Sequence, residues 1–160
     1  MSIEQEPLVK TVIVPTTPDR AFRLFTAELG KWWPLVSHSV RGDQATDVRL
    51  EGAVGGQIIE YDAAGPVGSW GTVSDWDPPH TVSFSWHPGS DPQEADQVTV
   101  RFIPTDESTG SGGGPDGSGS STLVELTHTG WERRPDGGRA RENYDSGWTY
   151  VLGHFVQFRP

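Results

Sequence analysis

Apolar residues recur with two different periods along this chain. Near the C-terminus Tyr144, Trp148, Val151, Leu152, Phe155 and Phe158 follow the i, i+4, i+7, i+8, i+11 spacing of one helix face. That spacing predicts a long closing helix over Arg139 to Arg159. Gly147 borders the stripe. A glycine inside a helix costs roughly 0.5–1 kcal/mol relative to alanine, so a backbone or a ligand is expected close to it. Gly153 falls on the opposite side, where the pattern supplies no reason for it.

At the other end LVKTVIV, Leu8 to Val14, is β-branched, partly alternating and stopped by Pro15, which reads as a strand. TTPDRAFRLFTAELGKWWP follows. Thr17 suits an N-cap, Pro18 the first helical position and Asp19 the positive end of the helix dipole. Ala21, Phe22, Leu24, Phe25 and Leu29 give the apolar face, which ends at Gly30, and Trp32-Trp33 before Pro34 forms a second short turn. Beyond Thr46 the period becomes two. DVRLEG, QIIEYD, SWGTVSDW, HTVSFSW, QVTVRFI and STLVELTHT are separated by Gly55-Gly56, Gly65-Pro66, Pro78-Pro79, Pro88-Gly89 and a long Gly/Ser tract.

These elements predict an α+β architecture. A curved antiparallel sheet of about six to seven strands is wrapped around a long C-terminal helix, with short helices after the first strand. A length of 160 residues fits one domain, 1–160. The tract Thr105 to Ser121 holds no large apolar side chain and reads as a flexible loop between two strands. It has no G-x-x-x-x-G-K-[ST] string and no following helix, so a phosphate loop is not indicated.

The net charge of -10 makes the chain a poor partner for nucleic acid or an anionic membrane, since both demand clustered cations. No apolar run reaches the ~18 residues of a membrane span, and MSIEQEPLVK lacks the layout of a signal peptide. The absence of cysteine removes thiol chemistry and fits a reducing cytoplasm. Seven tryptophans stand out, because large rigid aromatics serve both cores and ligand cavities.

The ordered set Gly55-Gly56, Asp77-Pro78-Pro79, Trp86, Leu126-Thr127-His128-Thr129-Gly130 and Gly147-Trp148, with VPTTPDRAFRLFT and KWWP before it, resembles the Activator of Hsp90 ATPase homologue 1-like family. That family belongs to the SRPBCC, or START/Bet v 1-like, superfamily. The resemblance runs from about Val9 to Phe158 and implies a helix-grip fold, often with an apolar cavity between sheet and helix. The eukaryotic co-chaperone of the family carries an additional N-terminal domain, for which a first strand starting by Leu8 leaves no room, so Hsp90 is not the expected partner. Superfamily relatives include polyketide cyclases and aromatases.

On alternation His128 shares a face with Val124 and Leu126, and Trp86 shares one with Val82 and Phe84. If those faces look toward the helix, His128 is either a group for binding or proton transfer or a buried histidine satisfied by its neighbours. Trp86 is then placed to touch Trp148, and Trp33 to stand at a cavity mouth. Trp70 and Trp76, with Thr72 and Ser74 between them, read as a partly exposed stripe, and Glu60 and Asp62 as solvated charge. The five histidines show no H-x-x-x-H or H-E-x-x-H spacing, so neither a metal nor another cofactor is expected. The expected function is binding of a small apolar or amphipathic molecule by Trp33, Phe84, Trp86, Leu126, His128, Tyr144, Trp148 and Leu152, with no catalytic residue assigned. A cyclase-like enzyme and a co-chaperone-type interaction module stand as alternatives, and a homodimer is compatible with the fold.

Overall fold

The computed structural model describes residues 7–88, 93, 95–105, 121–131 and 137–157. Phe158, Gly89 and nearly all of the Gly/Ser tract lie outside the described residues.

Strand β1 (Leu8–Val14) leads into helix α1 (Pro18–Thr26) and the single turn α2 (Leu29–Trp32). A short 3-10 turn at Gly42–Gln44 precedes β2 (Ala45–Leu50), β3 (Gln57–Asp62), β4 (Gly65–Asp77), β5 (Thr81–Trp86), β6 (Asp96–Pro104) and β7 (Thr122–Thr129). Helix α3 (Gly137–Gln157) closes the chain. The seven strands form one sheet in the order β1-β7-β6-β5-β4-β3-β2, antiparallel throughout. This is the expected α+β helix-grip arrangement, a curled half-barrel around the C-terminal helix.

Local chemistry explains the helical excursion. The Thr17 hydroxyl accepts from the Arg20 amide at 3.3 Å, Pro18 sits in the first turn where no amide partner is needed, and Asp19 faces the helix dipole. Phe22 and Phe25 then reach Phe102 on β6, with ring centroids 5.2 and 5.8 Å apart. Strict alternation governs β6 and β7: Asp96, Val98, Val100 and Phe102 on one, and Thr122, Val124, Leu126 and His128 on the other, all point to the concave side and are buried. Helix α3 lays Trp148, Val151, Leu152 and Phe155 on that surface. Lys10 of β1 forms an ion pair with Asp145, which fastens the helix to the sheet edge.

Strand β4 departs from alternation. Its register skips a residue between Ser69 and Gly71 and again between Val73 and Asp75. Bulges of this kind re-aim side chains. Trp70 is therefore buried and Trp76 packs on Phe22 at 5.0 Å, while Thr72 and Ser74 are exposed. The partly exposed Trp70/Trp76 stripe expected from the sequence is not formed. Glu60 also differs from expectation, because it is wholly buried where solvated charge was expected.

At Gly71 the backbones of β4 and β5 press together. A Cβ there would lie 1.7 Å from the Ser85 carbonyl oxygen, a backbone atom that cannot yield cheaply. This close approach lets the Trp70 carbonyl accept from the His87 amide at 2.6 Å and sets Trp86 beside Trp70, with ring centroids 5.7 Å apart. Gly71→Ala is expected to lower stability by at least about 1–3 kcal/mol through overpacking. A urea unfolding midpoint equal to wild type would contradict that placement.

Candidate functional site

Between the first half of α3, the loop after α2 and the end of β5 lies a pocket of about 400 Å³. Its walls are Trp33, Trp86, Trp148, Pro88, Val40 and Val151, and its polar groups come from His38, Ser39, Asn143 and Tyr144. Gly147 completes the lining, and a Cβ added there would meet no atom within 4 Å. The glycine thus keeps space open rather than admitting a second backbone.

Of the eight residues expected to bind a ligand, Trp33, Trp86, Tyr144 and Trp148 line this pocket. Phe84, Leu126, His128 and Leu152 are buried in the packed interior and do not reach it. The physical reason is the size of the neighbouring rings. Phe25, Trp32 and Phe155 meet at centroid distances of 4.9–5.4 Å and, with Phe102, fill the space between sheet and helix at its other end, while Trp131, Tyr144 and Trp148 cover His128.

His128 stands directly behind the pocket wall. The Trp148 indole N–H donates to its Nδ1 at 3.0 Å, and its Nε2 lies 2.9 Å from an Asp96 carboxylate oxygen. Both His128 and Asp96 are fully enclosed. An indole nitrogen is only a donor, so Nδ1 carries the lone pair and the ring proton sits on Nε2, facing Asp96. The Trp131 ring stacks on the imidazole at 4.0 Å, and Tyr144 lies at 4.9 Å. Asp96 was missed in the sequence although alternation from Val98 already points it inward.

A second buried carboxylate holds the opposite wall. Glu60 accepts from the Val40 amide at 2.8 Å, the Arg41 amide at 2.8 Å and the Trp70 indole at 2.9 Å. Three donors replace the water it gives up, which a buried charge requires. The loop that carries His38, Ser39 and Val40 is thereby tied to β3 and β4. Its outer side stacks His38 on Tyr150 of α3 at 4.9 Å. Burial, and then the nearby His154, hold the His38 imidazole below its ordinary pKa.

Among the described residues no group of three or more His, Cys, Asp or Glu is placed to hold a metal, and no helix is long and apolar enough to cross a membrane.

The sequence profile described as Activator of Hsp90 ATPase homolog 1-like protein matches residues 15–110. The chain belongs to that family. The matched stretch includes the His38 loop, Glu60, Trp70, Trp86 and Asp96 of this family member, and ends before β7 and α3. Comparison with curated protein sequences finds no match. Among solved structures the chain is similar to an anthrahydroquino-γ-pyrone synthase, Txn09, complexed with SUM, at 25% identity, covering 97% of this chain and 98% of that one with a TM-score of 0.61. It is also similar in fold to the self-sacrificing resistance protein CalC from Micromonospora echinospora, at 23% identity, 96% and 93% coverage and a TM-score of 0.63. The Aha1 dimer from Colwellia psychrerythraea shares the fold at 19% identity, 94% and 93% coverage and a TM-score of 0.62.

Two outcomes follow from this geometry. His128→Leu strands the Trp148 N–H and deprives Asp96 of its imidazole donor, and should cost about 2–5 kcal/mol in urea unfolding. His128→Gln offers an amide oxygen to Trp148 and an N–H to Asp96, and should recover more than half of that loss. For His38 the depressed pKa means that the folded state binds fewer protons than the unfolded one. Its contribution is complete above the ordinary imidazole value of about 6.5 and is lost as pH falls toward the lower folded value. Wild type should therefore show a steeper loss of Tm between about pH 7 and pH 5 than His38→Phe, which keeps a ring over Tyr150 and cannot titrate.

Proposed function

We propose that this protein binds a small apolar or amphipathic molecule in the pocket bounded by Trp33, Trp86, Tyr144, Trp148 and the open side of Gly147. The observation that carries the reading is the glycine. A helix interior gains stability when glycine becomes alanine, and nothing stands where that methyl group would go; the same holds at Gly153, and what sets Gly147 apart is that it lines the pocket. A position that forgoes such a gain on the wall of an aromatic pocket suits a site kept clear for a guest. At about 400 Å³ the space lies toward the lower end of the roughly 300–1,000 Å³ that small-molecule sites occupy.

The enzyme alternative gains some support from the similarity to Txn09, which is named as a synthase. It loses the group on which acid–base chemistry was most readily built, because His128 is sealed behind Trp148 and has both ring nitrogens engaged. A proton donor must come within hydrogen-bond reach of the reacting atom. Binding without turnover is the simpler account of this pocket.

Gly147 separates stability from binding. Gly147→Ala should raise stability by about 0.5–1 kcal/mol. Gly147→Phe should keep the fold and fill the pocket. Nile red, an uncharged fluorescent probe, should bind wild type with an emission increase and should give none with Gly147→Phe. Equal emission from the two proteins would place the probe elsewhere and refute the pocket reading.

A further inference from the structure

The three tryptophans of the pocket share one feature beyond their size. Each has its only polar atom committed to the protein: Trp33 donates to the His38 carbonyl at 2.7 Å, Trp86 to the Tyr144 hydroxyl at 3.1 Å and Trp148 to His128 at 3.0 Å. An indole has a single N–H and no acceptor. These walls therefore present ring faces and C–H edges, with no hydrogen bond to give.

The same bonds fix the rings. Each indole is pinned at its nitrogen and wedged against its neighbours, with Trp86 5.3 Å from Trp148 and 6.0 Å from Trp33. The Trp33 and Trp148 planes stand at 85°. A flat guest lying parallel to one of these two rings stands nearly perpendicular to the other, and offset stacking and edge-to-face contact are the two arrangements aromatic rings prefer. A flexible alkyl chain gains no such geometry and loses more torsional freedom on confinement.

Charge narrows the choice further. Among the described residues the lining contains no Asp, Glu, Lys or Arg. His38, the lining imidazole, is held toward its neutral form by burial and by His154. The Ser39 hydroxyl donates to the Leu35 carbonyl at 2.6 Å and accepts from the Gly42 amide at 2.9 Å, so the neutral hydrogen-bonding groups left in the lining are Asn143, which is exposed, and the Tyr144 hydroxyl, which accepts from Trp86. An ionised guest would surrender its hydration to a lining whose described residues offer no opposite charge to replace it.

We infer that the pocket selects a rigid, planar, uncharged aromatic ring system carrying a hydrogen-bonding substituent, held by its ring faces rather than by a charged anchor. The inference rests on the pocket reading above and deepens it.

Displacement of bound Nile red tests it with three probes: anthraquinone, which is planar and neutral, its sulfonate, which is planar and charged, and dodecanol, which is neutral and flexible. Anthraquinone should displace the dye at a concentration at least about tenfold lower than either of the others, a difference of ~1.4 kcal/mol. Dodecanol matching or surpassing anthraquinone would overturn the selection for a planar ring while leaving the pocket in place. The sulfonate matching anthraquinone would overturn the selection for neutrality. Failure of Nile red to bind wild type, or equal binding to Gly147→Phe, would remove the pocket reading and this inference with it.

Discussion

Two buried hydrogen bonds, from Trp148 to His128 and from His128 to Asp96, set the relation between helix and sheet. Each group is costly to bury alone, and each is satisfied by the next. The indole must donate, so the imidazole must accept at Nδ1 and donate at Nε2. That requirement fixes how far α3 can rotate about its axis, because a turn of the helix that moves Trp148 away leaves a buried N–H unpaired. Stacking of Trp131 on the imidazole adds apolar cover, so the polar thread runs through an aromatic setting.

Once Trp148 is fixed, the surface it offers outward is fixed as well. Its ring meets Trp33 and Trp86, and Trp86 in turn reaches the Tyr144 hydroxyl. The wall of the pocket is thus the outer layer of a core whose inner layer is polar and closed. Glu60 does for the loop what Asp96 does for the helix. It gathers two backbone amides of the loop and the Trp70 indole around one carboxylate, and so holds Val40 and its neighbours over the opening. Two buried acids, one behind each wall, give the site rigidity in a chain that has no cysteine to staple it.

The location of the opening follows from volume. Phenylalanine and tryptophan from α1, α2, α3 and β6 crowd the far end of the half-barrel. Near the N-terminal half of α3, Gly147 borders the pocket and a Cβ there would face open space. The molecule is a filled grip with an open mouth, and a shared fold provides that frame without specifying a function.

Much of this was legible in the sequence. The strand Leu8–Val14, the capped helix after Thr17, the run of antiparallel strands and the inward row of Val124, Leu126 and His128 all follow from periods of 2 and 3.6 and from cap chemistry, which act within a few residues. Trp33 at the mouth and Trp86 against Trp148 were also within reach of that reasoning. What tertiary structure alone decided depends on register and on bulk brought from far along the chain. The bulges in β4 turned Trp70 inward, and the Glu60 carboxylate met loop amides about 20 positions away. Packed rings sealed Phe84, Leu126, His128 and Leu152 away from the pocket. Alternation tells which way a side chain points, but only the assembled neighbours determine whether anything is left in front of it.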